Sequence, residues 1–180
     1  YTGVLLAASN RALWAGTFLL PPLFVASSTS TGVAMLIIYA LIGTAVSKGN
    51  WTKYKLFIKQ LTGSTEWTIP SRTVGRLIEA ESAIILIELV VLVAYATWLG
   101  TSAMAGALEA LNLLTVRALA APFWIGVVLL ALLVPLWLDI LHRGKELQRK
   151  EVWRSVIVSS ACVMLGGLIL RAVIVVGGQV

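Results

Sequence analysis

Five of the charged residues that lie within or beside otherwise apolar stretches of the sequence could carry chemistry. They are Glu79, Glu81, Glu88, Arg117 and Arg171. Charged side chains are costly inside a bilayer, so they usually face the interior of a helix bundle. These residues could therefore load and release protons on shielded carboxyl groups, or they could pair carboxylates with guanidinium groups to fix helix packing.

The spacing of the acidic residues favours one shared helix face. Glu81, Glu88 and Tyr95 are seven residues apart, which places them on one side of an α-helix at intervals of about 10 Å. Glu88 falls near the middle of its apolar stretch. Two interpretations stay open: a proton route through the carboxylates, and a structural ion pair of Glu88 with Arg171 or Arg117.

The composition places these residues in a membrane. Apolar residues make up 59% of the 180-residue chain and charged residues only 12%, whereas a soluble domain has about 25% charged residues. The single cysteine, Cys162, cannot form a cysteine-ligated metal site. The single histidine, His142, cannot supply two axial ligands to a haem. We therefore expect an integral membrane protein with no haem or metal in this chain.

Hydrophobic lengths predict the fold. A helix needs roughly 20 apolar residues to cross a bilayer core of about 30 Å. We predict an all-α, polytopic bundle forming a single transmembrane domain over residues 1–180, and residues 1–9 are expected to be the tail of a truncated helix of a longer polypeptide. Its four complete spans are predicted at 21–46, 76–99, 123–141 and 153–176.

The basic residues predict the topology. Eleven of the fourteen lie in two loops, 47–75 with Arg76 at its edge and 142–154, which the positive-inside rule places in the cytoplasm. An even number of spans must separate two loops on the same side. Residues 100–121 are therefore expected not to cross, and to form a re-entrant or interfacial hairpin on the outer side. The predicted topology accounts for the net charge of +6, so no nucleic-acid partner is needed to explain it.

Several short stretches, in this order, resemble the NrfD/PsrC-like family, the integral membrane subunits of polysulfide-reductase-type complexes. The resemblance covers nearly all of the chain except the 47–75 loop and the 100–121 hairpin. The stretches that carry it are Tyr1-Thr2-Gly3, Leu19 to Phe24, Ser30-Thr31-Gly32, Leu77-Ile78-Glu79, Leu86 to Leu89, Phe123 to Val127, Leu165 to Arg171, Val173 to Val176 and Gly178-Gln179.

The resemblance implies a function. Members of the family exchange electrons between quinone, either menaquinone or ubiquinone, and an iron–sulfur partner subunit in the prokaryotic cytoplasmic membrane. Iron–sulfur clusters and molybdopterin are expected only in partner subunits, the latter in a catalytic one. Tyr1 matches a tyrosine that resembles the family's quinone contact. A phenol O–H there could bind a quinone carbonyl.

Two other functions remain open from the sequence. Membrane-embedded glutamates and arginines also suit an ion- or proton-translocating transporter module, although the inverted repeats typical of transporters are not found. A passive membrane anchor would only hold a partner at the bilayer. Copurification with an iron–sulfur protein and quinone turnover would separate the three.

Overall fold

The computed structural model describes residues 2–8, 17–48, 71–103, 107–117, 119–142, 150–177 and 179. Nearly all of these residues are helical or form short turns, and no strand occurs among them. In chain order the helices are α1 (Thr2–Ala7), α2 (Leu20–Lys48), α3 (Ser71–Thr101), α4 (Ala107–Thr115), a π-helix (Pro122–Leu133), α5 (Val134–His142) and α6 (Lys150–Gly177).

Among the described residues, three helical stretches are long and apolar enough to cross a membrane. They are Leu20–Gly43, Pro122–Leu141 and Val152–Gly177. The prediction of an all-helical integral membrane protein is confirmed.

The start of α2 is set by a short polar and proline-rich sequence. The Thr17 hydroxyl oxygen accepts a hydrogen bond from the Leu19 backbone N–H at 3.1 Å. Pro21 and Pro22 occupy the first turn, where a missing N–H is tolerated. The helix then runs without interruption through the Ser/Thr-rich segment 27–31.

Helix α3 has one buried face and one exposed face. The buried face consists of Glu81, Ile85, Glu88, Leu92, Tyr95 and Leu99, spaced alternately by four and three residues as in bundle helices. The exposed face carries large apolar side chains at Leu86, Ile87, Val90 and Val93. The seven-residue spacing therefore places both glutamates against the other helices.

The stretch predicted as the span 123–141 changes its helical geometry partway along. It is a π-helix over Pro122–Leu133 and an α-helix from Val134. The wider turn ends with the Val134 N–H donating to the Leu129 carbonyl, five residues back. Pro135 has no N–H with which to continue that series. Long π-helical segments are rare and are not signalled by hydrophobic periodicity.

Helix α6 packs against α2, the π-helix and α5, and glycines allow these close approaches. A Cβ at Gly166 would lie 2.7 Å from Ala131 Cα, and one at Gly167 would lie 2.5 Å from Thr31 Cγ2. Small residues let membrane helices approach each other in this way. Gly167 thereby brings α6 against the α2 segment that carries the polar residues described next.

Candidate functional site

A buried polar cluster joins α2, α3 and α6, and we call it the Glu88 cluster (Ser30, Thr31, Glu88 and Arg171). The Ser30 hydroxyl donates to Glu88 Oε2 at 3.0 Å, and Arg171 Nη2 donates to Thr31 Oγ1 at 3.3 Å. Glu88 is only 3% exposed, and Ser30 is also buried. Consecutive residues of α2 thus connect the carboxylate of α3 to the guanidinium of α6, whose positive charge acts on Glu88.

The Ser30 hydroxyl can form a hydrogen bond with Glu88 whether the Glu88 carboxyl is ionised or protonated. Its oxygen lies 3.0 Å from Glu88 Oε2 and 3.0 Å from the Ser27 carbonyl oxygen, but a hydroxyl has one hydrogen to donate. It can donate to an ionised Glu88. It can also donate to the Ser27 carbonyl while accepting a hydrogen bond from a protonated Glu88. The carboxyl group can therefore gain or lose a proton without rearrangement of the backbone.

The Ser27 side chain completes the polar surroundings of Glu88. Its hydroxyl is fully buried and lies close to the Glu88 carboxyl. It makes no hydrogen bond of good geometry with any residue that the structure describes. Ser27 therefore supplies an additional buried hydroxyl beside a carboxyl group that can change its protonation state.

A cavity of about 550 Å³ opens next to the Glu88 cluster, between α1, α2 and α6. Its polar groups are Arg171 and Ser28, and the rest of its lining is glycine and apolar side chains. The lining residues are Gly3, Val4, Leu5, Leu6, Pro21, Phe24, Val25, Ser28, Arg171 and Val175. An apolar pocket with a few polar groups is the usual form of a small-molecule site.

A second polar cluster lies where α3, α5 and α6 meet, and we call it the Asp139 cluster (Glu81, Ser82, Asp139 and Ser159). Ser82 donates to Asp139 Oδ2 at 2.8 Å, and Ser159 donates to Asp139 Oδ1 at 3.3 Å. Glu81 is 1% exposed, and the negative charge of Asp139 acts on it. Two acidic side chains are therefore near neighbours inside the bundle.

The remaining predicted site residues lie away from these clusters. Glu79 is exposed, although it is only two residues from Glu81. Arg117 forms an ion pair with Glu109, and the two side chains are 60% and 58% exposed. Arg117 is therefore not the partner of Glu88. Tyr1, the predicted quinone contact, lies outside the described residues.

Sequence reasoning missed the Asp139 cluster. Asp139 is near the end of an apolar stretch, where a carboxylate can reach water, and its spacing gave no sign of partners. The available signal was the pair of hydroxyl residues Ser82 and Ser159 within apolar helices, since such residues often bond across helices.

In the described part of the chain, no group of three or more His, Cys, Asp or Glu residues could hold a metal ion.

Comparison with known proteins identifies the family. The family described as polysulphide reductase, NrfD matches residues 1–180, the whole chain. No curated protein and no solved structure matches it. The match includes α1, α2, α3 and α6, the helices that carry the cavity and the Glu88 cluster.

Proposed function

The chain belongs to the NrfD family, and from this premise we propose that it is the quinone-interacting, membrane-anchoring subunit of a respiratory oxidoreductase of the polysulfide-reductase type. In this role it exchanges electrons between the quinone pool and an iron–sulfur partner subunit. A molybdopterin-type catalytic subunit completes the complex. The cavity beside Arg171 is the single observation that carries this proposal.

The cavity suits the chemistry of a quinone. A volume of about 550 Å³ falls in the usual range for small-molecule sites, about 300–1,000 Å³. A quinone has an apolar ring and tail, which match the apolar lining, and two carbonyl oxygens, which need hydrogen-bond donors. Arg171 offers five N–H donors, so it can bind Thr31 and a quinone oxygen at the same time.

The residues around the cavity have separate tasks in this proposal. A bound quinone supplies two-electron chemistry coupled to proton uptake or release. Arg171 stabilises negative charge at the quinone oxygen through positioned N–H donors, and Thr31 orients its guanidinium. Glu88 accepts and releases the exchanged proton, with Ser30 as its hydrogen-bond partner. Menaquinone and ubiquinone share the carbonyl chemistry that this site would recognise.

The proton route extends from Glu88 towards Glu81. Both carboxyl groups lie on the buried face of α3, about 10 Å apart along the helix. Such a route would couple quinone chemistry to proton translocation. Glu79 is exposed although it lies only two residues from Glu81, so it has no part in this route. Arg117, paired with Glu109, has no part in the route.

We also propose that α3 is a fourth span. Its 31 residues extend about 46 Å, which exceeds the roughly 30 Å of a bilayer core, and its exposed middle face is apolar. Helix α4 has nine residues and extends only about 14 Å. Helix α4 is therefore too short to cross the bilayer, in agreement with the hairpin proposed on the outer side at 100–121. The basic loops 47–75 and 142–154 then lie in the cytoplasm, on the inner side of a prokaryotic membrane.

This topology places the quinone cavity in the outer half of the bilayer. Arg171 is near the end of α6 that faces outwards, and α1 contributes the opposite cavity wall. Tyr1 immediately precedes α1, so its proposed contact with quinone fits the same location. Tyr1→Phe would remove one hydrogen bond, which is typically worth about 0.5–1.5 kcal/mol.

Filling the cavity tests the proposal. Val175 lines the cavity, whereas the next residue, Val176, is an exposed apolar residue outside its lining. In the assembled complex, Val175→Trp should raise the KM for quinol and lower turnover strongly. Val176→Trp is the matched control and should keep both at wild-type values, because tryptophan is tolerated near membrane interfaces.

The outcomes separate the three functional classes. Copurification of an iron–sulfur subunit with both variants would show that assembly is intact. Quinol turnover that is equal in wild type, Val175→Trp and Val176→Trp would contradict the cavity as the quinone site. No quinol turnover in any of the three, with a copurified partner, would favour a passive anchor. Proton flux without an iron–sulfur partner would favour a transporter module.

A further inference from the structure

The Asp139 cluster contains two carboxyl groups in different surroundings. Asp139 is half-buried, and each of its oxygens lies within hydrogen-bonding distance of a serine hydroxyl, from Ser82 at 2.8 Å and from Ser159 at 3.3 Å. Glu81 is fully buried, and its Oε1 makes no hydrogen bond with any described residue. Hydrogen bonds to a carboxylate favour its charged form, and burial without them disfavours it.

Among the described side chains, the charged groups on the surrounding helices do not compensate for the cost of burying an ionised Glu81. On α3, the side chains of Arg72, Arg76 and Glu79 are exposed, and on α6 so is that of Arg154. The described side chains of α2, residues 20–43, include none that is charged, and its Tyr39 is exposed. Cys162 of α6 is half-buried and lies almost one turn beyond Ser159. The charge that acts on Glu81 is that of Asp139, which is also negative.

Two neighbouring carboxylates cannot both remain ionised at low cost in a buried site. When the surroundings of a pair differ, one carboxyl takes the proton and the other stays charged. The two serine hydroxyls favour the charged form of Asp139. The burial of Glu81 and its oxygen without a hydrogen bond favour the neutral form. The surroundings of the two side chains therefore favour a different protonation state for each.

We propose that Glu81 holds a proton as a neutral carboxylic acid, and that ionised Asp139 exchanges this proton with water at the inner surface. Asp139 is suited to exchange because it is half-buried and only three residues from the end of α5. This inference deepens the proton route of the proposed function by adding Asp139 as its inner entrance. It does not depend on where quinone binds.

The Ser82 hydroxyl allows Asp139 to carry the proton transiently. Its oxygen lies 2.8 Å from Asp139 Oδ2 and 3.0 Å from the Ile78 carbonyl oxygen. When Asp139 is protonated, its O–H can donate to Ser82, whose own hydrogen then goes to Ile78. The proton then leaves Asp139 and binds a Glu81 carboxylate oxygen. Asp139 becomes ionised again, and the total charge of the pair is unchanged.

Dicyclohexylcarbodiimide tests this proposal, because it is an apolar reagent that modifies protonated carboxyl groups inside membranes. The whole complex in native membrane vesicles would be treated at neutral pH, and the modified peptides would be identified by mass spectrometry. We expect modification at Glu81 and none at exposed Glu79, two residues away. Asp139→Asn should reduce modification of Glu81 several-fold, because it removes the negative charge that favours the proton there.

Two further variants complete the experiment. Glu79→Gln is the matched control and should leave the modification rate of Glu81 unchanged. Ser82→Ala leaves the charge of the pair intact but removes one donor to Asp139, so modification should decrease at Glu81 and appear at Asp139. An unmodified Glu81 in the wild type would overturn the proposal. So would equal modification of Glu81 in the wild type, Asp139→Asn and Ser82→Ala. Neither outcome would affect the quinone assay of Val175→Trp.

Discussion

The Glu88 cluster and the Asp139 cluster are built around carboxyl groups on the same face of the same helix, yet their partners differ in charge. Glu88 shares its cluster with Arg171, and serine and threonine hydroxyls of α2 connect the two. Glu81, seven residues away, has the acidic neighbour Asp139. The first cluster combines groups of opposite charge and borders a cavity. The second brings two acidic side chains together, and one proton would remove one of their two charges.

This difference separates two tasks within the proposed function. A guanidinium beside an apolar cavity can bind a ligand oxygen, because its donors remain positioned and charged. A pair of neighbouring acidic groups is better suited to storing and passing protons. The two clusters are about 10 Å apart along α3, so the protonation state of one can influence the other through the same helix face.

Replacing each of the two glutamates by glutamine should give the largest difference in the free energy of unfolding between the two clusters. Glu88→Gln would leave Arg171 without the negative charge it faces. It should lower the free energy of unfolding by about 1.5–3 kcal/mol, the range for losing a hydrogen bond to a charged group, because Ser30 loses its carboxylate acceptor and Arg171 is connected to Glu88 only through the α2 hydroxyls. Glu81→Gln should cost less than about 1.5 kcal/mol, since an amide replaces a neutral acid of similar shape and at most one hydrogen bond changes. Unfolding of the complex in a detergent titration measures both.

A double variant distinguishes charge pairing from loss of shape. Glu88→Gln combined with Arg171→Gln removes both charges and should recover most of the stability lost in Glu88→Gln. Equal losses for Glu88→Gln and Glu81→Gln would contradict the electrostatic difference between the clusters. Wild-type stability and wild-type proton-coupled turnover in Glu88→Gln would exclude both the structural and the proton-carrying role of this residue.

The helix contact behind the Glu88 cluster gives a smaller effect. Gly167→Ala would introduce a Cβ 2.5 Å from Thr31 Cγ2, the residue that binds Arg171. Overpacking of this kind costs about 1–3 kcal/mol and should also raise the KM for quinol by displacing Thr31. Gly32→Ala is the matched control in the neighbouring helix, because its Cβ would meet nothing within 4 Å. Similar KM and stability changes in the two variants would show that this contact does not support the site.

The sequence could predict the buried face of α3, but not the partners of its glutamates. Hydrophobic length and charge are local properties, so they predict an all-helical membrane protein and align Glu81 with Glu88. The contacts from Ser30 to Glu88 and from Ser82 to Asp139 join residues 58 and 57 positions apart. They depend on how the helices pack, which periodicity within one helix does not determine. The ion pair of Arg117 with Glu109 shows the same limit, since a charge near an apolar stretch can still face outwards.

The π-helix at 122–133 is another feature that depends on packing. The apolar pattern predicts a spanning stretch there, and the structure has a helical stretch apolar enough to span. The pattern does not reveal that the turn widens before Pro135. Gly126 and Ala131 of this helix face Ile169 and Gly166 of α6, so the widened segment forms the contact surface for the helix that carries Arg171.

The most direct test of the central claim is photoaffinity labelling of the assembled complex with an azido-quinone, followed by peptide mass spectrometry. If quinone binds beside Arg171, adducts should occur within residues 3–6, 21–28 or 171–175, the segments that line the cavity. An excess of unlabelled quinone should suppress them, and so should Val175→Trp but not Val176→Trp. Adducts confined to the exposed apolar face of α3, at residues 86–93, and insensitive to unlabelled quinone would contradict the account.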